Sequence, residues 1–485
     1  MVEVVRFPDI ALYQGWSTPL RSETDARDLE IVQGAVPLGL EGTLYRCGPD
    51  RQYPPMTGDD IFIDGEGMVH AFKFEGGHVD YQCRWVHTQR FELQAKARRS
   101  LFGRYRNRYT NDPSVAGASM GTANTNLVWH AGKLLALKED DLPYELDPTT
   151  LETLGKYDYG GAVKAVSMSA HPKVDWITNE LLTFSYQAKG DATTDVVFYV
   201  IGADGRIKNE IWFDMPWPAM VHDFAVTPTH AIFPFFPMMT DLEVIKQGGP
   251  FYQYHPDKPT MVAVVPRDGT AEDIRWFTGP TTTAGHMLNA VVEGSKVELD
   301  LCLYQGNCFP FFLTDKGEAT PPVPPILTRL TMDLDSNSGE FSQKVLLQSP
   351  CEMPRTDDRY QGRPYRYGFM ICMRGGDGTS GVGRLDLETG ELTTWAPGPN
   401  SGVQEPQFVP RRPDAQEGDG WLLVFVNRID QNRSDLVILD AQKLEAGPVA
   451  IARLPTRVRS TFHGAWAPVE TLKTGLYDMQ LVGNA

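Results

Sequence analysis

The chain has 485 residues, 45 of them basic and 62 acidic, for a net charge of −17. Surfaces that bind polyanions are basic, so this balance argues against nucleic acid and against anionic membrane surfaces as partners. No run reaches the roughly 18 apolar residues of a membrane span, which argues against stable membrane insertion. Nothing has the composition of a linker or a disordered arm, so one large domain over residues 1–485 is expected.

The opening MVEVVRFPDI has neither a basic n-region nor an apolar h-region, so no secretory signal is visible. The six cysteines, Cys47, Cys83, Cys302, Cys308, Cys351 and Cys372, form no CxxC pair. Reduced, mostly buried thiols in a cytoplasmic protein are expected.

Along the chain one pattern recurs. An alternating strand enters a short Asp/Gly/Thr-rich turn and a second strand leaves it, the signature of a β-hairpin. It occurs at AFKFEGGHVDYQ, YELDPTTLETLGKY, YVIGADGRIKNEIW, AVVPRDGTAEDIRWF, LTMDLDSNSGEFSQKVL, GRLDLETGELTTW and VILDAQKLEAGPVAIA, with turns near residues 76, 148, 204, 268, 337, 389 and 443. The intervals are irregular and somewhat longer than the roughly 40–50 residues of common blade repeats. Seven such hairpins predict an all-β, seven-bladed propeller with loops and short helices capping one face. A large sandwich with many hairpins is the alternative. Helical patterning is scarce, and FELQAKARRSLFGRYRNR at 91–108 predicts a short helix or long loop inserted over one face. The apolar AIFPFFPMM at 231–239 is too short to span a membrane and predicts core or pocket wall.

Four of the ten histidines share one phase of the repeat. His171 follows its turn by about 23 residues, and His222, His286 and His463 follow theirs by about 18, 18 and 20. In a radial repeat, equal phase means equal radius and height. Residues just after an outer hairpin begin the next innermost strand, so these imidazoles should converge on the axis. Imidazole nitrogens suit Zn, Cu, Fe or Ni, and four of them on an octahedral ion leave two positions open. Four unrelated core histidines would have to fall into phase by accident. His70, His78, His87, His130, His230 and His255 lie out of phase and are expected to be structural or superficial.

Metal-bound imidazoles usually donate their second N–H to a carboxylate or carbonyl. Glu352 and Glu405 fall about 15 and 16 residues after their turns, in the apolar or proline-rich contexts SPCEMPR and VQEPQFVP. An unpaired carboxylate buried there would be costly. Glu139 does not fit the phase.

Taken together, GTLYRCGP at 42–49, FIDGEGMVHAF at 62–72, SAHPKVD around His171, MVHDFAVTPTH around His222, GHMLNA around His286, EMPR, EPQFVPR and FHGAW around His463 resemble the ordered motifs of the carotenoid cleavage oxygenase family. The resemblance covers nearly the whole chain. It implies a seven-bladed propeller with Fe(II) on His171, His222, His286 and His463. It also implies that Glu139 orients His222, Glu352 orients His286 and Glu405 orients His463, with no carboxylate for His171. LALKEDDLPYELDP at 135–148 resembles the stilbene-cleaving branch, because carotenoid-cleaving members commonly carry an uncharged residue where this chain has Lys138. In that branch the matching Lys138 and Tyr105, the latter in RYRN, hold the substrate phenol, and Phe62 resembles an aromatic that stacks on the same ring. RYRNRY also contains Tyr109, and the alternative for Phe62 is a core residue.

The expected reaction is O₂-dependent cleavage of the central double bond of a 4-hydroxystilbene into two aromatic aldehydes. An apocarotenoid-cleaving enzyme of the same family and a non-catalytic propeller scaffold are the competing readings. A homodimer is suggested by the resemblance alone.

Overall fold

The computed structural model describes residues 6–373 and 380–481. Its strands form seven antiparallel sheets, the blades of a propeller, plus one two-stranded ribbon. All seven predicted turns join the third and fourth strands of a blade. The first lies between Glu66–Glu75 and His78–Trp85, and the last between Arg433–Asp440 and Pro448–Arg453.

The turn chemistry explains why the repeat is legible. Glu75 pairs with His78 across Gly76 and Gly77, whose φ values are 58° and 84°. A two-residue turn with both φ positive matches the strand twist and favours glycine. In YELDPTTLE and GRLDLETGE an aspartate does equivalent work. The backbone N–H groups of Thr149 and Thr150 donate to Asp147 at 2.8 and 2.7 Å, and that of Glu388 donates to Asp386 at 3.0 Å.

The ends of the chain interlock the ring. Gly464–Pro468 pairs with Gly42–Asp50 and becomes the inner strand of the first blade, with Leu44 opposite Trp466. Ile31–Gly34 adds to the outer edge of the last blade by pairing with Pro448–Arg453. This closure carries His463 to the axis. The blades pack face to face through aromatic and β-branched side chains. Phe184, Phe198, Phe224 and Phe233 fill the space between the third and fourth blades, each fully buried ring contributing about 1.5–3 kcal/mol.

Three insertions account for the uneven intervals. The first, between Trp85 and Asn126, begins with the helix Gln89–Ala97 and continues as irregular chain through Tyr105, as the 91–108 segment predicts. The second lies between His230–Phe235 and Thr260–Pro266, and the third between Lys296–Tyr304 and Ile326–Asp333. They meet in one aromatic cluster that includes Tyr105, Tyr252, Phe251 and Phe312, and so cap one side of the ring. Of the 231–239 segment, residues up to Phe235 form a buried strand, and Met238 joins this cap. No helix among the described residues is long and apolar enough to cross a membrane. The six cysteines are thiols outside any disulfide.

Candidate metal centre and adjoining cavity

His171, His222, His286 and His463 come together at the centre of the ring, one nitrogen from each lying within 4.8 Å of the others. They belong to the third, fourth, fifth and first blades. His171 precedes the inner strand Lys173–Asp175, His222 precedes Ala225–Val226, His286 lies within Thr283–Glu293, and His463 precedes Gly464–Pro468. None of the other six histidines joins them. His70 is buried against the Tyr81 hydroxyl and His130 against the Asn179 carbonyl, while His78 and His87 pair with acidic residues at the surface.

Three of the rings are oriented by glutamates. His222 Nδ1 donates to Glu139 at 2.9 Å, His286 Nδ1 to Glu352 at 2.7 Å, and His463 Nδ1 to Glu405 at 2.8 Å. Donation from Nδ1 leaves each Nε2 as a lone pair directed inward. Glu352 reaches its histidine because residue 285 is glycine: a Cβ there would sit 2.2 Å from Glu352 Oε1. Each glutamate has a further polar neighbour. Arg46 Nη1 donates to Glu405 at 2.6 Å, the Tyr304 hydroxyl to Glu352 at 3.2 Å, and Arg106 Nη1 lies 3.6 Å from Glu139. Burial alone would raise Glu139 and Glu405. Their histidine and arginine neighbours outweigh it and hold both below the usual carboxylate range.

The donor set fits a cation. His171 Nε2 and His222 Nε2 approach to 3.2 Å. His286 Nε2 is buried with no hydrogen-bond partner among the described residues, an arrangement that costs free energy unless something else meets the lone pair. Burial lowers His171 well below its ordinary value, helped by the other three imidazoles, and lowers His463 to about 4 despite Glu405, whereas at His286 Glu352 outweighs burial and raises it. Neutral imidazole is the form that ligates metal.

On one side the cluster opens into a largely apolar cavity lined by Phe62, Ile63, Met220, Phe309 and Phe462 as well as His222, His286 and His463. Lys138 and Tyr105 are among the polar residues of its wall, with Thr125 and Glu139. Lys138, only 5% exposed, is no surface lysine. Its Nζ lies 5.1 Å from the Tyr105 ring centroid and donates weakly to Asn124 Oδ1 at 3.4 Å. It forms no ion pair within 4 Å among the described residues. The Tyr105 hydroxyl makes no hydrogen bond among those residues either, and burial, then Glu139, pushes its pKa well above the ordinary value. Tyr109, in contrast, is 49% exposed. Phe62 is not core. It is 48% exposed at the cavity, edge-on to Phe311 and Phe462.

A family profile described as RPE65, "Retinal pigment epithelial membrane protein", matches residues 17–468. The chain belongs to this family, that of the carotenoid cleavage oxygenases. It is 43% identical to an isoeugenol monooxygenase from Pseudomonas nitroreducens, over 94% of this chain and 97% of that one. It is 42% identical to lignostilbene-alpha,beta-dioxygenase isozyme III from Sphingomonas paucimobilis, over 97% and 99%. The crystal structure of a Pseudomonas brassicacearum lignostilbene dioxygenase superposes with a TM-score of 0.93 at 44% identity, covering 96% of this chain and all of that one.

In this carotenoid cleavage oxygenase several residues around the centre escape sequence reasoning. Arg106 adjoins the candidate Tyr105, but its guanidinium turns to Glu139, Tyr186 and Tyr252. Asn124, the acceptor for Lys138, is fixed by donating to the Ile63 and Gly65 carbonyls. Phe309 and Phe462 come from the third insertion and from the position before His463. A phase argument sees inner-strand positions, and none of these four has a signal of that kind. Asp223 is a fifth case: it follows His222 directly, and its Oδ1 lies 3.8 Å from His171 Nδ1.

Proposed function

We propose that the four histidines hold Fe(II) and that the enzyme cleaves the alkene of a 4-hydroxystilbene with O₂, giving two aromatic aldehydes. The observation that carries this reading is the buried Lys138 ammonium. No carboxylate among the described residues lies within 4 Å of it, although Asp140, Asp64 and Glu139 interact with it at longer range, so its N–H groups are left to give a substrate phenolate a charge-assisted hydrogen bond. The free Tyr105 hydroxyl is available as second donor to the same oxygen. Phe62, Phe309 and Phe462 offer faces and edges to the aromatic rings. With the phenol oxygen at Lys138, the conjugated alkene extends toward the histidines, and a phenolate enriches it in electrons. Bound iron supplies the activation of O₂. Glu139, Glu352 and Glu405 hold the Nδ1 protons so that the imidazoles keep their lone pairs on the ion, and the apolar wall limits water.

The likeness to an isoeugenol monooxygenase favours a second reading in which the alkene belongs to a phenylpropene. The 4-hydroxyphenyl ring presents the same atoms to Lys138 and Tyr105 in both. A cytoplasmic enzyme is proposed on thiols that form no disulfide, and a homodimer on family membership alone. The test is anaerobic Fe(II) loading, then O₂ uptake and aldehyde analysis with a 4-hydroxystilbene, a 4-hydroxyphenylpropene and an apocarotenoid. Faster turnover of the phenolic alkenes is expected. Preference for the apocarotenoid would overturn the assignment of Lys138.

A further inference from the structure

His171 and His222 lie just before inner strands of only three and two residues, Lys173–Asp175 and Ala225–Val226. Neither ligand is inside a strand ladder, so other bonds must fix its backbone. His286 is within a strand, but the pairing with Lys296–Tyr304 shifts register between Ala284 and Met287 and again between Met287 and Asn289. The N–H of Met287 is directed elsewhere.

All three irregular segments converge on Asp223, which is 3% exposed. Its Oδ1 accepts from Lys173 Nζ at 2.8 Å, two residues beyond His171. Its Oδ2 accepts from the backbone N–H of Met287 at 2.8 Å, the residue after His286. Asp223 itself follows His222, and the N–H of Phe224 also donates to Oδ1, at 2.8 Å. One buried carboxylate therefore spans the third, fourth and fifth blades at the level of the ligands. The 3.8 Å between its Oδ1 and His171 Nδ1 is too long for a hydrogen bond, yet close enough for the charge to favour His171 Nδ1–H facing it. His463, the remaining ligand, is held separately by Glu405 and Arg46.

We propose that Asp223, anchored by Lys173, is a positioning residue that ties the His171, His222 and His286 segments together so that their imidazoles converge to receive the metal. The proposal rests on the four histidines being the metal site. It gives His171 an outer partner that acts through backbone geometry and charge, where the other three rings have a hydrogen-bonded glutamate.

The experiment titrates the metal-free chain with Co(II), whose visible ligand-field bands report ligand number and geometry without any turnover. Asp223→Asn should bind Co(II) about 10–100-fold more weakly, the usual effect of losing an outer partner, with shifted bands. Lys173→Met should move both readouts the same way, and Lys173→Arg, which keeps the ion pair, should restore them. If a single charge removal prevents folding, the double variant Asp223→Asn/Lys173→Met leaves no buried charge unpaired and should still show the weaker, shifted site. Unmodified affinity and bands in Asp223→Asn or the double variant, whatever the change in Tm, would overturn the proposal and assign the pair to folding. Failure of the four-histidine reading would look different: the unmodified chain would take up no Co(II), or His286→Ala would bind it equally well.

Discussion

His463 donates from Nδ1 to Glu405 at 2.8 Å while the other oxygen of Glu405 accepts from Arg46 at 2.6 Å, and both the carboxylate and the guanidinium are buried. At Glu352 the corresponding second donor is the neutral hydroxyl of Tyr304. The two glutamates thus hold equivalent histidines against unequal electrostatic surroundings.

Glu405→Gln and Glu352→Gln should therefore diverge in stability. Either amide can still accept from its histidine, so metal affinity or activity should fall about 10–100-fold in both. Only Glu405→Gln leaves a buried guanidinium without its principal counter-charge, a change that costs about 3–5 kcal/mol. Denaturant unfolding of the two variants measures the difference. Equal losses of stability would show that solvent, or the Thr461 and Phe462 oxygens that Arg46 also bonds, compensates Arg46.

Replacing a ligand should act on metal before fold. His286 Nε2 already lacks a protein partner, so His286→Ala removes an orphaned polar atom from the centre and should leave the blades assembled. Iron retention and oxygenase activity should drop to a small fraction of the unmodified values. Metal analysis beside circular dichroism reads this out, and full iron content with normal turnover would refute the four-histidine site.

Acid should weaken the fold before ordinary carboxylates titrate. Burial, then the charge of Arg46, lowers His70 to about 3, and burial lowers His130 to about 4. Both stay neutral in the folded chain but take up protons near pH 6.5 when unfolded. Their stabilising contribution is complete above pH 6.5 and declines as pH falls toward the folded values. Each contributes a slope of about 1.4 kcal/mol per pH unit once well below 6.5. Denaturant midpoints between pH 7 and 5 should fall, and fall less steeply in His70→Gln. Parallel slopes for the two proteins would mean that His70 is protonated in the native state.

What the sequence revealed, and what it hid, follows from where each residue sits in its blade. His171, His222, His286 and His463, with Glu352 and Glu405, lie on or next to innermost strands, so the repeat phase alone brings them together. Glu139 follows Lys133–Leu137, the second strand of its blade, and reaches His222 from a radius the phase does not predict; only the family resemblance pointed to it. The cap was partly legible. Its first insertion carries a nine-residue helix, but the second has only the five-residue helix Leu242–Lys246, and the third is aromatic, proline-rich chain without periodicity, from which Phe309 arrives. Asp223 was hidden by adjacency, because an acidic residue beside a histidine carries no sign that it bonds two other blades.

The substrate prediction turns on the same cavity. A 4-hydroxystilbene should be cleaved and its 4-methoxy analogue should react poorly. Methylation removes the ionisable proton and crowds the oxygen that Lys138 and Tyr105 would bind. A hydrogen bond to a charged group contributes about 1.5–3 kcal/mol, on the order of 10–150-fold in rate if realised at the transition state. The methyl ether also loses the electron release of a phenolate, so the total penalty should exceed the binding term. Lys138→Met keeps an unbranched chain of similar size and removes the cation. It should lower kcat/KM on the phenol and narrow the gap between phenol and ether. It should also cost some stability, since Lys138 is the largest charge offsetting the burial of Asp140, so the kinetics are compared on protein shown to be folded. Steady-state kinetics on both compounds, with O₂ uptake as the readout, decide the matter. Comparable turnover of phenol and methyl ether by the unmodified enzyme would remove phenol activation from the mechanism and leave Lys138 without a catalytic role.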